Sequence, residues 1–136
     1  MMLYRLVYRS RANLPEASAE AEVADLVARA RAANVRIGIT GALLHVDGQF
    51  LQAIEGPLEA VEALFEKICS DLRHRDVQLL ELAPAEERLF GAWAMEQVGR
   101  HEDVVDRLPL SVGTAATSDA TLALLRAQLP RLQRPG

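Results

Sequence analysis

The 136-residue chain is 50% hydrophobic and 25% charged, the balance of one compact globular domain with a real core. Its net charge of −4 argues against a nucleic-acid or anionic-membrane binder, and no apolar run is long enough to span a bilayer. The single cysteine, Cys69, excludes an internal disulfide and fits a reducing, cytoplasmic setting; "MMLYRLVYRSR" mixes charge with apolar residues and is not a signal peptide.

Residues 3–8 alternate, with Leu3, Arg5 and Val7 on one side and Tyr4, Leu6 and Tyr8 on the other, which predicts a first strand. "RSRANLPEAS" follows as a loop with turn residues and a proline. From about residue 18 to 33 the spacing turns helical. Val23, Leu26, Val27, Ala30 and Ala33 form one stripe, with Glu20, Asp25, Arg29 and Arg31 largely off it. The helix is expected to stop near Asn34, a residue that tolerates the left-handed cap position. "IGITGALLHV" and "FLQAIEG" read as strands joined by Asp47-Gly48, a strong hairpin signal. Gly56-Pro57 opens a second helix, whose stripe of Leu58, Val61, Leu64, Phe65 and Ile68 runs to about Leu72. "VQLLELA" is a fourth strand and "GAWAMEQV" a fifth.

The order β-α-β-β-α-β-β is that of an α+β, ferredoxin-like sheet with two helices on one face. The other face would be left bare, yet Val7, Leu51 and Ala53 point to it, so something must cover it. The C-terminal third supplies candidates. "HEDVVDRL" reads as a short helix and "SVGTAATS" as a linker of small residues. Residues 119–129 read as an amphipathic helix with Leu122, Leu125 and Leu129 in line, ended by Pro130. These helices, a second subunit, or both are expected to cover the sheet.

Gln52 raises the first question of chemistry. It shares a face with Phe50 and Ile54, an inward face, and an amide buried without partners is costly. A lone strand glutamine is ordinarily satisfied by its neighbours. Tyr8, however, falls on the adjacent central strand of this plan, and a phenol and an amide so placed can hydrogen-bond. Asn34 is either a helix cap or an amide at the mouth of the groove between the helices, where it suits the carbonyl and imide groups of a planar heterocycle. In "DLRH", Arg73 and His74 either cap the second helix or, with Lys67, meet a phosphate. Trp93 and Met95 share one strand face, most simply as core. Cys69 reads as a small buried hydrophobe. His45, His74 and His101 lack metal-ligand spacing, and no phosphate-loop, dinucleotide or nucleophile-elbow motif is present.

Taken in order, Tyr8 in "LVYRSRA", Asn34 before "ITGALL", "GQFLQAIEGP", "DLRH" and "FGAWAM" resemble the BLUF domain, the flavin-binding blue-light sensor, over roughly residues 3–98. The resemblance implies a sensor over residues 1–98 and a helical extension over 99–136 packed on the sheet. It implies bound FAD, with FMN or riboflavin as the smaller alternatives. Tyr8 is then the photoactive tyrosine, and Gln52 stands between it and the flavin. Asn34 holds the ring's polar edge, and Ile39 and Thr40 lie along the ring. Lys67, Ile68, Asp71, Arg73 and His74 serve the ribityl-phosphate end, and Trp93 and Met95 relay the signal. On excitation of the flavin, Tyr8 gives up an electron and a proton through Gln52, which is left rotated or tautomerised. Ala30 and Ala33 depart from the family pattern, which often carries polar residues there. Since no output domain is recognisable, the output is expected to be association with a protein partner or with further copies of the chain rather than an enzymatic reaction. Three alternatives stand beside this: a flavin-free interaction module, an acylphosphatase-like enzyme using Arg11 in "RSRAN", and a flavin redox enzyme.

Overall fold

The computed structural model describes residues 2–46, 48–91 and 96–97, together with Leu122, Ala123 and Leu125 of the C-terminal third. Strand β1 (Leu3–Ala12) leads through a 3₁₀ turn (Glu16–Ser18) into helix α1 (Ala19–Ile37). The hairpin β2 (Thr40–Val46) and β3 (Gln49–Pro57) follows, then helix α2 (Leu58–Ser70), strand β4 (His74–Ala85) and the short β5 (Glu96–Gln97). The sheet order is β4-β1-β3-β2-β5. β1 runs antiparallel to both β3 and β4, β2 is antiparallel to β3, and β5 lies parallel to β2. This is the expected α+β plan, a four-stranded antiparallel βαββαβ sheet extended at one edge, with β1 and β3 central.

The two faces divide as alternation requires. Leu6, Tyr8, Leu43, Phe50 and Ile54 join Val23 and Val27 of α1 and Val61 of α2 in the helix-side core. Val7, Ala42, Leu44, Leu51, Ala53 and Leu80 form the far-side core with Phe90 and Leu125. The face that the sequence left bare is thus capped, among the described residues, by Phe90, Leu89, Leu122 and Leu125. The readings of "HEDVVDRL" as a helix, "SVGTAATS" as a linker and the remainder of 119–129 as a helix lie outside the described residues.

Several boundaries differ from expectation. β1 runs four residues past Tyr8, so most of "RSRAN" is strand; Ala12 N–H donates to Gly48 O at 2.8 Å. α1 does not end at Asn34. Gly38 takes the left-handed cap at φ 74°, where glycine pays no Cβ penalty, and its N–H returns to Asn34 O. α2 stops at Ser70, and Leu72 is 85% exposed rather than part of the apolar stripe. Asp71 breaks the helix with extended backbone at ψ 124°, so Arg73 and His74 do not cap it; His74 opens β4. Cys69 is exposed, not buried. No helix among the described residues is long and apolar enough to cross a membrane.

Candidate functional site

In the β1–β3 register Tyr8 faces Gln52. Both side chains are buried on the helix side, and the Tyr8 hydroxyl donates to Gln52 Oε1. Beside Tyr8 the β1–β4 pairing slips from Val7↔Glu81 to Tyr8↔Leu79, a bulge of the kind that re-aims side chains next to functional sites. The Tyr8 ring is flanked by Phe65 at 5.7 Å and His74 at 5.9 Å between centroids. Burial, and secondarily Cys69 and Asp71, push the phenol well above its usual value near 10. Tyr8 is therefore a neutral donor at physiological pH. If it loses an electron it must lose its proton as well, and the acceptor in contact is Gln52 Oε1.

Gln52 opens onto a cavity of about 200 Å³ between the two helices, open to solvent on one side. Leu26 and Ala30 of α1 face it, as do Leu64 and Ile68 of α2. Asn34 adds a second amide, held there because α1 continues through it to Gly38. Asn34 is fully buried, and its Oδ1 receives no donor from the described residues. Charged groups complete the wall: Arg29, Lys67, Asp71 and Arg73. Apolar helix walls suit a flat ring, two amides suit an edge of alternating carbonyl and imide groups, and lysine and arginine suit a phosphate. The donor set fits a flavin.

Behind α2 the chain is tied down in two ways. Asn13 donates from Nδ2 to Leu72 O at 2.8 Å, and its backbone N–H donates to Arg73 O at 2.8 Å. Arg73 grips Asp71 with Nη2 at 2.6 Å from Oδ2 and Nε at 3.0 Å from Oδ1. That hydrogen bond chiefly draws the Asp71 carboxyl below the usual carboxylate range. His74 Nδ1 lies 2.9 Å from Ser10 Oγ, and its ring packs on Phe50 at 4.6 Å. Burial is the main cause that lowers His74 to about 4; Asp71 opposes the shift and Arg73 adds to it. The imidazole is neutral at pH 7.

Of the residues singled out in the sequence, Asn34, Gln52, Lys67, Ile68, Asp71, Arg73 and His74 meet at the cavity, with Tyr8 behind Gln52. Ile39 and Thr40 do not line it. Ile39 is packed into the helix-side core, and Thr40 Oγ1 lies 3.2 Å from Glu55 Oε1 and accepts Arg88 Nη1 at 2.9 Å. Trp93 and Met95 lie outside the described residues. Sequence reasoning missed Arg29 on the cavity wall, because it sits off the apolar stripe. It also missed Glu55, a carboxylate 1% exposed on β3. No local signal marked Glu55: Arg5 stands opposite it on the far-side face only once the β1–β3 register is fixed.

The family model described as "BLUF: Sensors of blue-light using FAD" matches residues 3–96. The photoactivated adenylate cyclase subunit alpha of Euglena gracilis is 36% identical over 107 residues, 79% of this chain. The chain spans about 10% of that protein's length. The solved structure of the BlsA photo-activated state is 30% identical with a TM-score of 0.81, covering 94% of this chain and 95% of that one. The dark-state structure of the BLUF protein BlrB is 33% identical with a TM-score of 0.77, covering 93% and 96%. A sheet with Tyr8 bonded to Gln52 under a two-helix cavity, and a family match across that whole unit, place the chain in the BLUF family of blue-light sensors that bind a flavin.

Proposed function

We propose that the chain is a light-switched interaction protein of the cytoplasm, in which the Tyr8–Gln52 pair sets how it associates with a partner protein or with further copies of itself. Residues 1–98 act as the sensor, and residues 99–136 cover the sheet and carry the output. No enzymatic step is part of this reading. When bound, FAD supplies absorption of blue light and takes an electron once excited. Asn34 would hold the polar edge of the ring, and Leu26 and Ile68 would give the ring apolar walls. Lys67, Arg73, Asp71 and His74 would serve the ribityl-phosphate chain. Ile39 and Thr40 act from behind this layer, by fixing the start of β2.

Tyr8 loses an electron and passes its hydroxyl proton to Gln52 Oε1. The amide then rotates or tautomerises, so that its carbonyl and N–H groups exchange partners. Tyr8 recovers both electron and proton; rotation leaves every covalent bond as it was, whereas tautomerisation moves one proton within the amide, from Nε2 to Oε1. What persists is a rearranged hydrogen-bond network. Trp93 and Met95 then relay that rearrangement toward the extension.

The observation that supports this reading is the Tyr8 hydroxyl donating to a buried Gln52 that also fronts the cavity. The test is a visible spectrum of the purified protein, in darkness and under blue light, paired with size-exclusion chromatography in both states. The expected result is a flavin spectrum that moves slightly to the red, returns in darkness, and accompanies a change in association. A protein that stays colourless after added FAD overturns it.

A further inference from the structure

We propose that Glu55 is the positioning residue that couples Gln52 to the far face of the sheet, by clamping the segment after β4 onto β3. The inference rests on the sensor reading above.

Glu55 lies three residues beyond Gln52 on β3 and points to the opposite face, where it is buried. Its carboxylate receives four donors. Oε2 accepts Arg5 Nε at 2.9 Å and the Leu89 N–H at 2.7 Å. Oε1 accepts the Phe90 N–H at 2.9 Å and Thr40 Oγ1 at 3.2 Å. One carboxylate thus joins β1, β2 and β3 to the backbone of residues 89–90. Arg88 adds a second tie, from Nη2 to Gly38 O at 2.9 Å and from Nη1 to Thr40 Oγ1 at 2.9 Å.

The clamp also has a consequence at its far end. Phe90, held by Glu55 through its backbone, buries its ring in the cluster that contains Leu125. A continuous run of contacts therefore leads from Tyr8 and Gln52, along β3, through Glu55 to residues 89–90, and into the cluster that caps the sheet. Charge-assisted hydrogen bonds to a buried carboxylate are short and directional, and costly to leave unmade. A displacement of β3 that follows the turning of Gln52 must carry residues 89–90 with it or break those bonds. Coupling through this run takes the form of two arrangements of the clamp whose balance light biases.

Amide hydrogen exchange on the full flavin-bound chain, in darkness and under continuous blue light, tests this, with the visible spectrum read in parallel. In the wild type, exchange at the Leu89 and Phe90 amides is expected to differ by about tenfold or more between the two states, as for a local opening that light biases. Glu55→Gln places an N–H₂ group where Arg5 or Leu89 needs an acceptor. It is expected to keep the reversible red shift and to lose the light-dependent difference at Leu89 and Phe90. If Glu55→Gln does not fold, Glu55→Asp takes its place; it keeps the charge but shortens the reach, and the same loss is expected. A variant that keeps both the red shift and the wild-type exchange difference overturns the proposal. So does a wild-type chain that shifts red with no exchange difference at Leu89 and Phe90. A wild-type chain with no red shift fails the sensor reading itself, and the spectrum alone identifies that result.

Discussion

A phenol and a primary amide in contact, the first fully buried and the second fronting the cavity, give the site its capacity to switch. Tyr8 has a donor to lose, and Gln52 has two chemically different ends that can trade places. Tyr8→Phe keeps the ring packing on Phe65 and removes the donor; Gln52→Leu keeps the volume and removes both ends of the amide. Both variants are expected to retain flavin and to lose the reversible red shift, as read by absorption spectra in darkness and light. A normal photocycle in either variant would remove that residue from the switch. His74 carries a second prediction at this scale. Its value of about 4 in the fold lies below the ordinary 6.5, so the unfolded chain binds the extra proton more readily. Stability from His74 is complete above about pH 6.5 and is lost as pH falls toward about 4. Asp71, lowered in the fold from 3.8, loses its contribution only below that range. Denaturant titrations at pH 7.5 and pH 5 are expected to differ by about 1–2 kcal/mol, and His74→Gln to flatten the difference. Tyr8 and Gln52 drew notice in the sequence because a phenol and an amide on inward strand faces are unusual, whereas Asn34 read equally as a helix cap; the fold brings all three to the cavity or just behind it. Arg29 was not, because an arginine off the stripe looks like any solvated surface residue.

Among the elements, strand identity and pairing followed from alternation and from the Asp47-Gly48 hairpin signal, but helix ends did not. Asn34 and Gly38 are both acceptable terminators, and burial decided between them. Ending α1 at Gly38 keeps Asn34 helical and directs its amide into the cavity, while Val35 and Ile37 stay exposed. Gly38→Ala forces a Cβ into left-handed backbone and is expected to cost about 1–2 kcal/mol of stability by chemical denaturation. Gly41 is constrained differently. A Cβ there would stand 2.2 Å from Ala53 O, inside the β2–β3 pairing. Gly41→Ala is therefore expected to disrupt the hairpin and lower soluble yield and melting temperature far more than Gly38→Ala does. At 71–74 the helix end differs from expectation for a related reason: the residues match a basic helix terminus, but Asp71 turns the backbone to extended geometry and pairs with Arg73, and both face the cavity.

For the whole molecule, the question posed by the sequence was what covers the far face of the sheet. Phe90 and Leu125 are both buried against Val7, Leu51 and Ala53. Leu125→Ala is expected to destabilise the sensor by about 2–5 kcal/mol, the range for removing a buried leucine side chain. Thermal unfolding followed by flavin release would check it. An unchanged midpoint would mean that the C-terminal third contributes no packing to the sheet.

The sequence by itself determined the element order and the two sheet faces, and it placed Tyr8 and Gln52 on adjacent strands. Periods of 2 and 3.6 are set by near neighbours, so a linear reading recovers them. Only the tertiary structure decided that Ser10 meets His74, that Asn13 pins residues 72–73, and that Glu55 gathers Arg5, Thr40 and the backbone of residues 89–90. Those partners lie 15 to 64 residues apart along the chain. Separations of that size carry no local period, and such pairs become visible only once packing has fixed which strands are neighbours and in what register.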